Sequence, residues 1–112
     1  MESKPLNVRA YDAAGYVVAL IDGEWCRETD QAWITIPDVM TDHAALDLLK
    51  DYGRHDPKCY GATLGIRFNP DGSIYEANAV LVWKDGEVGE TAESLALAIC
   101  QAIVATREPT HG

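Results

Sequence analysis

Tyr60-Gly61-Ala62-Thr63-Leu64-Gly65-Ile66-Arg67-Phe68 is the stretch on which the fold of this chain turns. Tyr60, Ala62, Leu64, Ile66 and Phe68 fall on one side of an extended backbone, and Gly61, Thr63, Gly65 and Arg67 on the other. That alternation over nine residues has the period of a strand. Asn69-Pro70-Asp71-Gly72 then supplies a turn: Pro presets φ, Asp bonds to nearby backbone, and Gly accepts a positive φ. The chain returns from Ile74 to Trp83 with Tyr75, Ala77, Ala79, Leu81 and Trp83 on one side. Val80 and Val82 on the other side imply that its end is covered on both faces. Lys84-Asp85-Gly86-Glu87 makes a further turn, and a second hairpin forms if Val88 pairs back.

Ahead of this hairpin, Thr41 is an N-cap and Asp42 complements the positive first turn of a helix that buries Ala45, Leu48, Leu49 and Tyr52. Asp47, Lys50, Asp51 and Arg54 take its wet face, and Gly53 is the expected stop. Beyond the hairpin, a last helix begins near Thr91 or Glu93 and ends near Thr106. Its core face is Leu95, Ile99, Ala102 and Ile103, widened by Ala98, Cys100 and Val104. At the start of the chain Val8, Tyr11, Gly15, Val18 and Ile21 recur at helical steps. Their spacing predicts a helix from Leu6 to Asp22, with Asn7 as N-cap, Gly23 just past the end and Gly15 in its middle. Cys26 to Gln31 reads as an exposed loop, and Ala32 to Ile36 as a short strand ended by Pro37. The expected fold class is α+β: an antiparallel sheet centred on the hairpin at about 60–83, packed with three α-helices. A single domain is expected over 1–112, with its ordered core at about 6–106.

Composition narrows the setting. With 112 residues, 47% of them apolar, the chain supports one core without staples, since folding at this length hides roughly two-thirds of the unfolded surface. Cys26, Cys59 and Cys100 are odd in number and widely spaced, and Met1–Pro5 shows no basic-plus-apolar leader. Unpaired thiols without a leader point to a reducing, cytoplasmic compartment. The stretch Leu95–Val104 is interrupted by Gln101 and too short to span a bilayer, so no membrane contact is expected. Net charge is −9 and unevenly spread. Eight acids between Ala10 and Leu49 face only Arg27, and six from Asp71 to Glu93 face only Lys84. Such a surface repels phosphate backbones and argues against direct nucleic-acid binding.

Three features now stand in order: Thr41-Asp42-His43-Ala44-Ala45-Leu46 opening the middle helix, the paired block around Pro70-Asp71-Gly72, and Leu97-Ala98-Ile99-Cys100-Gln101-Ala102 near the C-terminus. Together they resemble the phage ABA sandwich domain family, small α/β proteins encoded in phages and prophages. The resemblance covers about 6–106 as an arrangement. It implies a fold and a phage setting, and it carries no established activity or site.

No catalytic constellation emerges. His55-Asp56-Pro57-Lys58-Cys59 holds three metal-ligand types, but no CxxC or HxxxH completes a zinc set, and a polar turn is the better reading. Cys100 lies in an apolar stripe with nothing basic beside it, so it reads as core. His43 reads as a solvated first-turn residue. Asp47 and Asp51 have acid–base spacing, yet interleaved Lys50 and Arg54 make an ion-paired face. Neither a phosphate loop nor a GxSxG or HExxH motif is present, and no cofactor is expected.

The expected function is therefore a non-enzymatic, phage-type accessory protein that binds or inhibits a host protein with a basic surface, such as a defence component. The residues expected to carry binding are Glu24, Glu28, Asp30, Asp38, Asp47, Asp51, Tyr75, Glu87 and Glu90. Tyr60, Tyr75 and Trp83 are the aromatics suited to contact, and the thin strand face Gly61, Thr63, Gly65 suits close approach by another sheet or a second copy. Two other functions fit. One is a nucleotide or signalling-molecule binder, which needs Arg54, Lys58 and Arg67 to converge. The other is a phage structural or assembly protein.

Overall fold

The structure is a computed structural model that describes residues 4–107. The expectations for Met1–Ser3 and for the tail from Glu108 lie outside the described residues. The chain runs α1 (Leu6–Ala13), β1 (Val18–Ile21), β2 (Glu24–Glu28), β3 (Trp33–Thr35), α2 (Asp42–His55), β4 (Cys59–Phe68), β5 (Ile74–Trp83), β6 (Gly86–Ala92), α3 (Leu95–Ala105). Three helices thus accompany two antiparallel three-stranded sheets, β1-β2-β3 and β4-β5-β6, in an α+β fold.

The second of these sheets is the predicted one. Its hairpin pairs Ala62 with Leu81, Leu64 with Ala79 and Ile66 with Ala77. Asp71 secures the turn by accepting from the Ser73 amide at 2.9 Å and the Ser73 hydroxyl at 2.6 Å, while Gly72 takes φ +90°. Val88 does pair back, opposite Leu81. The start of the last helix falls later than expected because Thr91 and Ala92 still belong to β6, and Ser94 caps α3 by accepting from the Leu97 amide at 3.2 Å. On α2, Thr41 accepts from Ala44 as expected, but Gly53 does not stop the helix, which continues to His55.

The first sheet is the departure. The predicted helix from Leu6 to Asp22 is two elements, and Gly15 is the reason. Helix α1 ends at Ala13; the Tyr16 amide donates back to the Tyr11 carbonyl at 3.1 Å, and the Gly15 amide to Asp12 at 3.0 Å. This pair of bonds around a glycine at φ +99° is a Schellman cap, with the Tyr11 and Tyr16 rings meeting edge-on across it. Asp22 and Gly23, both at positive φ, then form a two-residue hairpin turn between β1 and β2 instead of a helix end. The first half of the predicted Cys26–Gln31 loop, Cys26 to Glu28, is strand, because Cys26 pairs with Ala19 on one side and Thr35 on the other, while Thr29–Gln31 stay in the loop as expected. The predicted strand at Ala32–Ile36 forms as Trp33–Thr35.

Helix α3 is the central helix of the second sheet, and the first sheet rests on α1. Helix α3 packs against α1 and α2, and against β5 and β6. Ala96, Ala98, Ile99, Cys100, Ala102 and Ile103 are all buried, so it has almost no wet face. Asp42 ties α2 to it by accepting from the Ala96 amide at 3.2 Å. Tyr52 and Trp83 meet edge-on, and both donate to the Asp56 carboxylate, which fixes the end of α2 to the end of β5.

Gly15 offers a test of the cap. A Cβ there would overlap the His55 ring as well as adopt an unfavourable φ. Gly15→Ala should lower stability by about 2 kcal/mol. A urea melt superimposable on wild type would show that the Schellman cap is not what ends α1.

Candidate functional site

In an antiparallel sheet, residues directly opposite one another leave the same face and neighbours in sequence leave opposite faces. In the first sheet Val18, Leu20, Trp25, Arg27 and Ile34 therefore share one face. Val18 and Trp25 pack against the core, so this face meets the helices. Arg27 lies on it, with its guanidinium 5.1 Å from the centre of the Tyr11 ring and 5.0 Å from that of Tyr16. Arg27 is the only base between Val18 and Thr35, and it is turned inward.

The outer face of the same sheet carries Ile21, Glu24, Cys26, Glu28, Trp33 and Thr35. Glu28 is directly opposite Trp33, a residue that is 42% exposed. Glu24 accepts from the Thr35 hydroxyl at 3.2 Å, which holds its carboxylate beside β3. Asp30 sits in the β2–β3 turn, which is built by Thr29, whose hydroxyl donates to the Ala32 carbonyl at 2.7 Å. Asp38 follows β3 and shares a recess of about 370 Å³ with Glu24, Trp25, Ile36 and Pro37, next to the start of α1. Asn7 closes one wall by donating to the carbonyls of Pro37 and Asp38, each at 2.9 Å. This is a carboxylate-bearing surface with an exposed indole in it and no base on this face of its strands.

The other residues expected to bind are placed elsewhere. Asp47 lies on α2, 3.5 Å from His43. Asp51 is engaged internally: it accepts from the Tyr16 hydroxyl at 2.6 Å and pairs with Arg54 at 2.7 Å. Glu87 is opposite Val82 and Glu90 opposite Ala79, so these two acids leave opposite faces of β6. Tyr75 belongs to the hairpin of the second sheet and is half exposed. Trp33 was not among the expected binding residues; its place opposite Glu28 depends on the β2–β3 register, for which a loop reading of Cys26–Gln31 left no room.

The remaining candidates resolve in physical terms. Burial pushes the Cys100 thiol up to about 11, which leaves it a protonated core residue at neutral pH. Burial also pushes Asp56 upward, but the Trp83 indole, the Lys58 amide and the Tyr52 hydroxyl outweigh it and hold the carboxyl below its usual range. That aspartate is a structural anchor. Among the described residues, no group of three or more His, Cys, Asp or Glu side chains is placed to hold a metal ion. Arg54 and Arg67 are taken up in separate ion pairs, with Asp51 on α2 and Glu76 on the hairpin. The nine strand residues from Cys59 to Arg67 span roughly 26 Å, so Lys58 and Arg67 do not converge on one anion. Among the described residues, no helix is long and apolar enough to cross a membrane.

Comparison with known proteins gives a fold and little else. A scan against protein-family models finds no match, and neither does a search of curated proteins. Among solved structures, a phage protein from Bacillus cereus ATCC 14579, known from a 2.0 Å crystal structure, matches with a TM-score of 0.57 at 16% identity. The match covers 95% of this chain and 89% of that one, so the shared fold extends over nearly the whole molecule.

Two tyrosines bonded to the carboxylates of Asp51 and Asp56 predict an alkaline transition. Burial, then the hydrogen bond to Asp51, push Tyr16 up to about 12, and Tyr52 also reaches about 12, chiefly through burial. The folded chain keeps these protons to about pH 12, whereas the unfolded chain releases them near 10.0. Their contribution to stability is thus complete below pH 10.0 and is lost as pH rises from there to about 12. Unfolding followed at rising pH should show that decline, and it should be shallower in Tyr16→Phe. An identical slope in the variant would remove Tyr16 from the account.

Proposed function

We propose that this chain is a non-enzymatic binding protein of phage type, which docks a basic surface of another protein with the outer face of its first sheet. One observation carries the reading: Glu24, Glu28 and an exposed Trp33 gather on one face while Arg27, the sole base of those strands, is held inside on two tyrosine rings. Asp30, exposed in the β2–β3 turn, and Asp38, exposed beyond β3, add to the negative charge of this end of the chain. An indole among carboxylates suits a partner that offers Lys or Arg, since the carboxylates steer and pair the cation while the ring supplies buried area and a cation–π face. The fold likeness to a phage protein supports the phage setting. A host defence component and a phage assembly protein are both partners that such a face would serve, and the identity of the captured protein separates them.

Immobilised protein should retain a basic partner from host lysate at low salt and release it as ionic strength shortens the Debye length below about 10 Å. The double reversal Glu24→Lys with Glu28→Lys should weaken that capture at least about 10-fold, and Trp33→Ala by a similar factor. Asp47→Lys, on α2, should leave it unchanged. Equal capture by wild type and the double reversal would sink the proposal.

A further inference from the structure

The second sheet has two edges, and they differ. Strand β6 carries Glu87 and Glu90 on its edge, and charge of this kind ordinarily keeps a free strand from pairing. Strand β4 is ten residues long, contains no proline and no carboxylate, and its one charge, Arg67, is neutralised by Glu76 at 3.3 Å. It pairs with β5 on one side, and among the described residues no strand pairs with its other side. The apolar face that it shares with the core runs past the end of the helices. Leu64, Ile66, Phe68 and Ile74 are exposed there, and Tyr60 and Tyr75 stand at irregularities of the register at either end of the strand pair. Cys59, opposite Trp83, takes the inward place that strict alternation assigns to Tyr60, which is 70% exposed. The thin face is a poorer contact surface, since a Cβ at Gly65 would already meet the Asn78 side chain.

We propose that β4 pairs antiparallel with β4 of a second copy of this chain, about a two-fold axis at Leu64, to join two three-stranded sheets into one of six strands. Three observations select this occupant. Centred on Leu64, the strand is complementary to itself: Ala62 lies opposite the second copy's Ile66, Gly61 opposite its Arg67 and Thr63 opposite its Gly65, so small residues meet larger ones and no like charges face each other. The same register carries Phe68 of each copy to the Tyr60 end of the other. There a groove of about 200 Å³ opens between α2 and β4, lined by Leu49, Tyr52, Tyr60 and Ala62. A ring that is 62% exposed in one copy thus meets a hollow in the other.

The third observation is electrostatic. Two chains of net charge −9 repel each other wherever their carboxylates face, and ten consecutive residues without an acid are the surface on which they can meet. A basic partner finds nothing to pair with on this strand. The four exposed apolar side chains of β4, Tyr60, Leu64, Ile66 and Phe68, offer roughly 400 Å² per copy, and the paired strand backbone adds to this toward the 800 Å² or so that each partner contributes to an interface of standard size. The dimer leaves the outer face of the first sheet unused, so it stands or falls apart from the function proposed above.

Light scattering at about 100 µM, a concentration that saturates an interface of standard size, should give twice the chain mass of 12.2 kDa. Leu64→Lys places two ammonium groups at the axis and should halve the measured mass with an unchanged far-UV circular dichroism spectrum. Phe68→Lys, at the exposed tip, should do the same, and it stands in if the first variant misfolds. Residues facing each other across antiparallel strands have Cα atoms about 4.5–5.5 Å apart, within disulfide range. Leu64→Cys should therefore cross-link to a covalent dimer under mild oxidation, faster than wild type with its own three thiols. A monomeric wild type at that concentration would overturn the proposal and leave the face to a partner of another kind. A dimer indifferent to both lysine variants, or one that Leu64→Cys fails to cross-link, would overturn the β4 edge as its seat.

Discussion

A helix that is apolar on all sides has to be covered on all sides, and α3 imposes that condition on everything else. Eight of its eleven residues are buried. Neither an isolated helix nor a helix lying on one sheet could hide such a surface. The hairpin sheet covers one flank through β5 and β6, while α1 and α2 cover others. Covering each alanine and isoleucine of α3 removes apolar area from water at about 25 cal/mol per Å². With Ala96, Ala98 and Ala102 along the helix, neighbouring backbones approach closely, so the layers pack without bulky side chains.

Around this axis the polar ties have a consistent logic. Asp42, Asp51 and Asp56 are spread along α2, and each reaches a different element: the first turn of α3, Tyr16 just beyond α1, and Trp83 at the end of β5. Three carboxylates of a strongly acidic chain thus act as internal fasteners, satisfied by amide, hydroxyl and indole donors. The acids that remain free are divided by strand geometry. A spacing of three puts Glu87 and Glu90 on opposite faces, whereas a spacing of four keeps Glu24 and Glu28 together. Net charge alone cannot make that distinction, because it depends on which segments are extended.

Legibility varied along the chain for identifiable reasons. The hairpin of β4 and β5, the cap at Thr41 and the apolar run of α3 rest on local patterns that the tertiary structure keeps, except at the register shift that turns Tyr60 outward. The first sheet was hidden by coincidence: Val8, Tyr11, Gly15, Val18 and Ile21 keep helical spacing across a break, so a period of 3.6 seemed to continue through Gly15. Asp22-Gly23 is the available counter-signal, a dipeptide favoured in two-residue hairpin turns, and a glycine in the middle of the apparent helix, Gly15, is the second. Missing that sheet concealed Trp33 as a site residue and the inward course of Arg27. The open apolar face of β4 was invisible for another reason: alternation shows that a face is apolar, but not how far the helices extend over it.

The sequence by itself determined the local elements with strong periodicity or capping chemistry and the excess of carboxylates. Those properties are fixed by residues within a few positions of one another. Tertiary structure alone decided which carboxylates share a surface, which are consumed as internal ties, and which edge strand is left open. Each of these depends on register and layer packing between segments far apart in the chain, where moving a strand by a single residue turns every side chain to the other face.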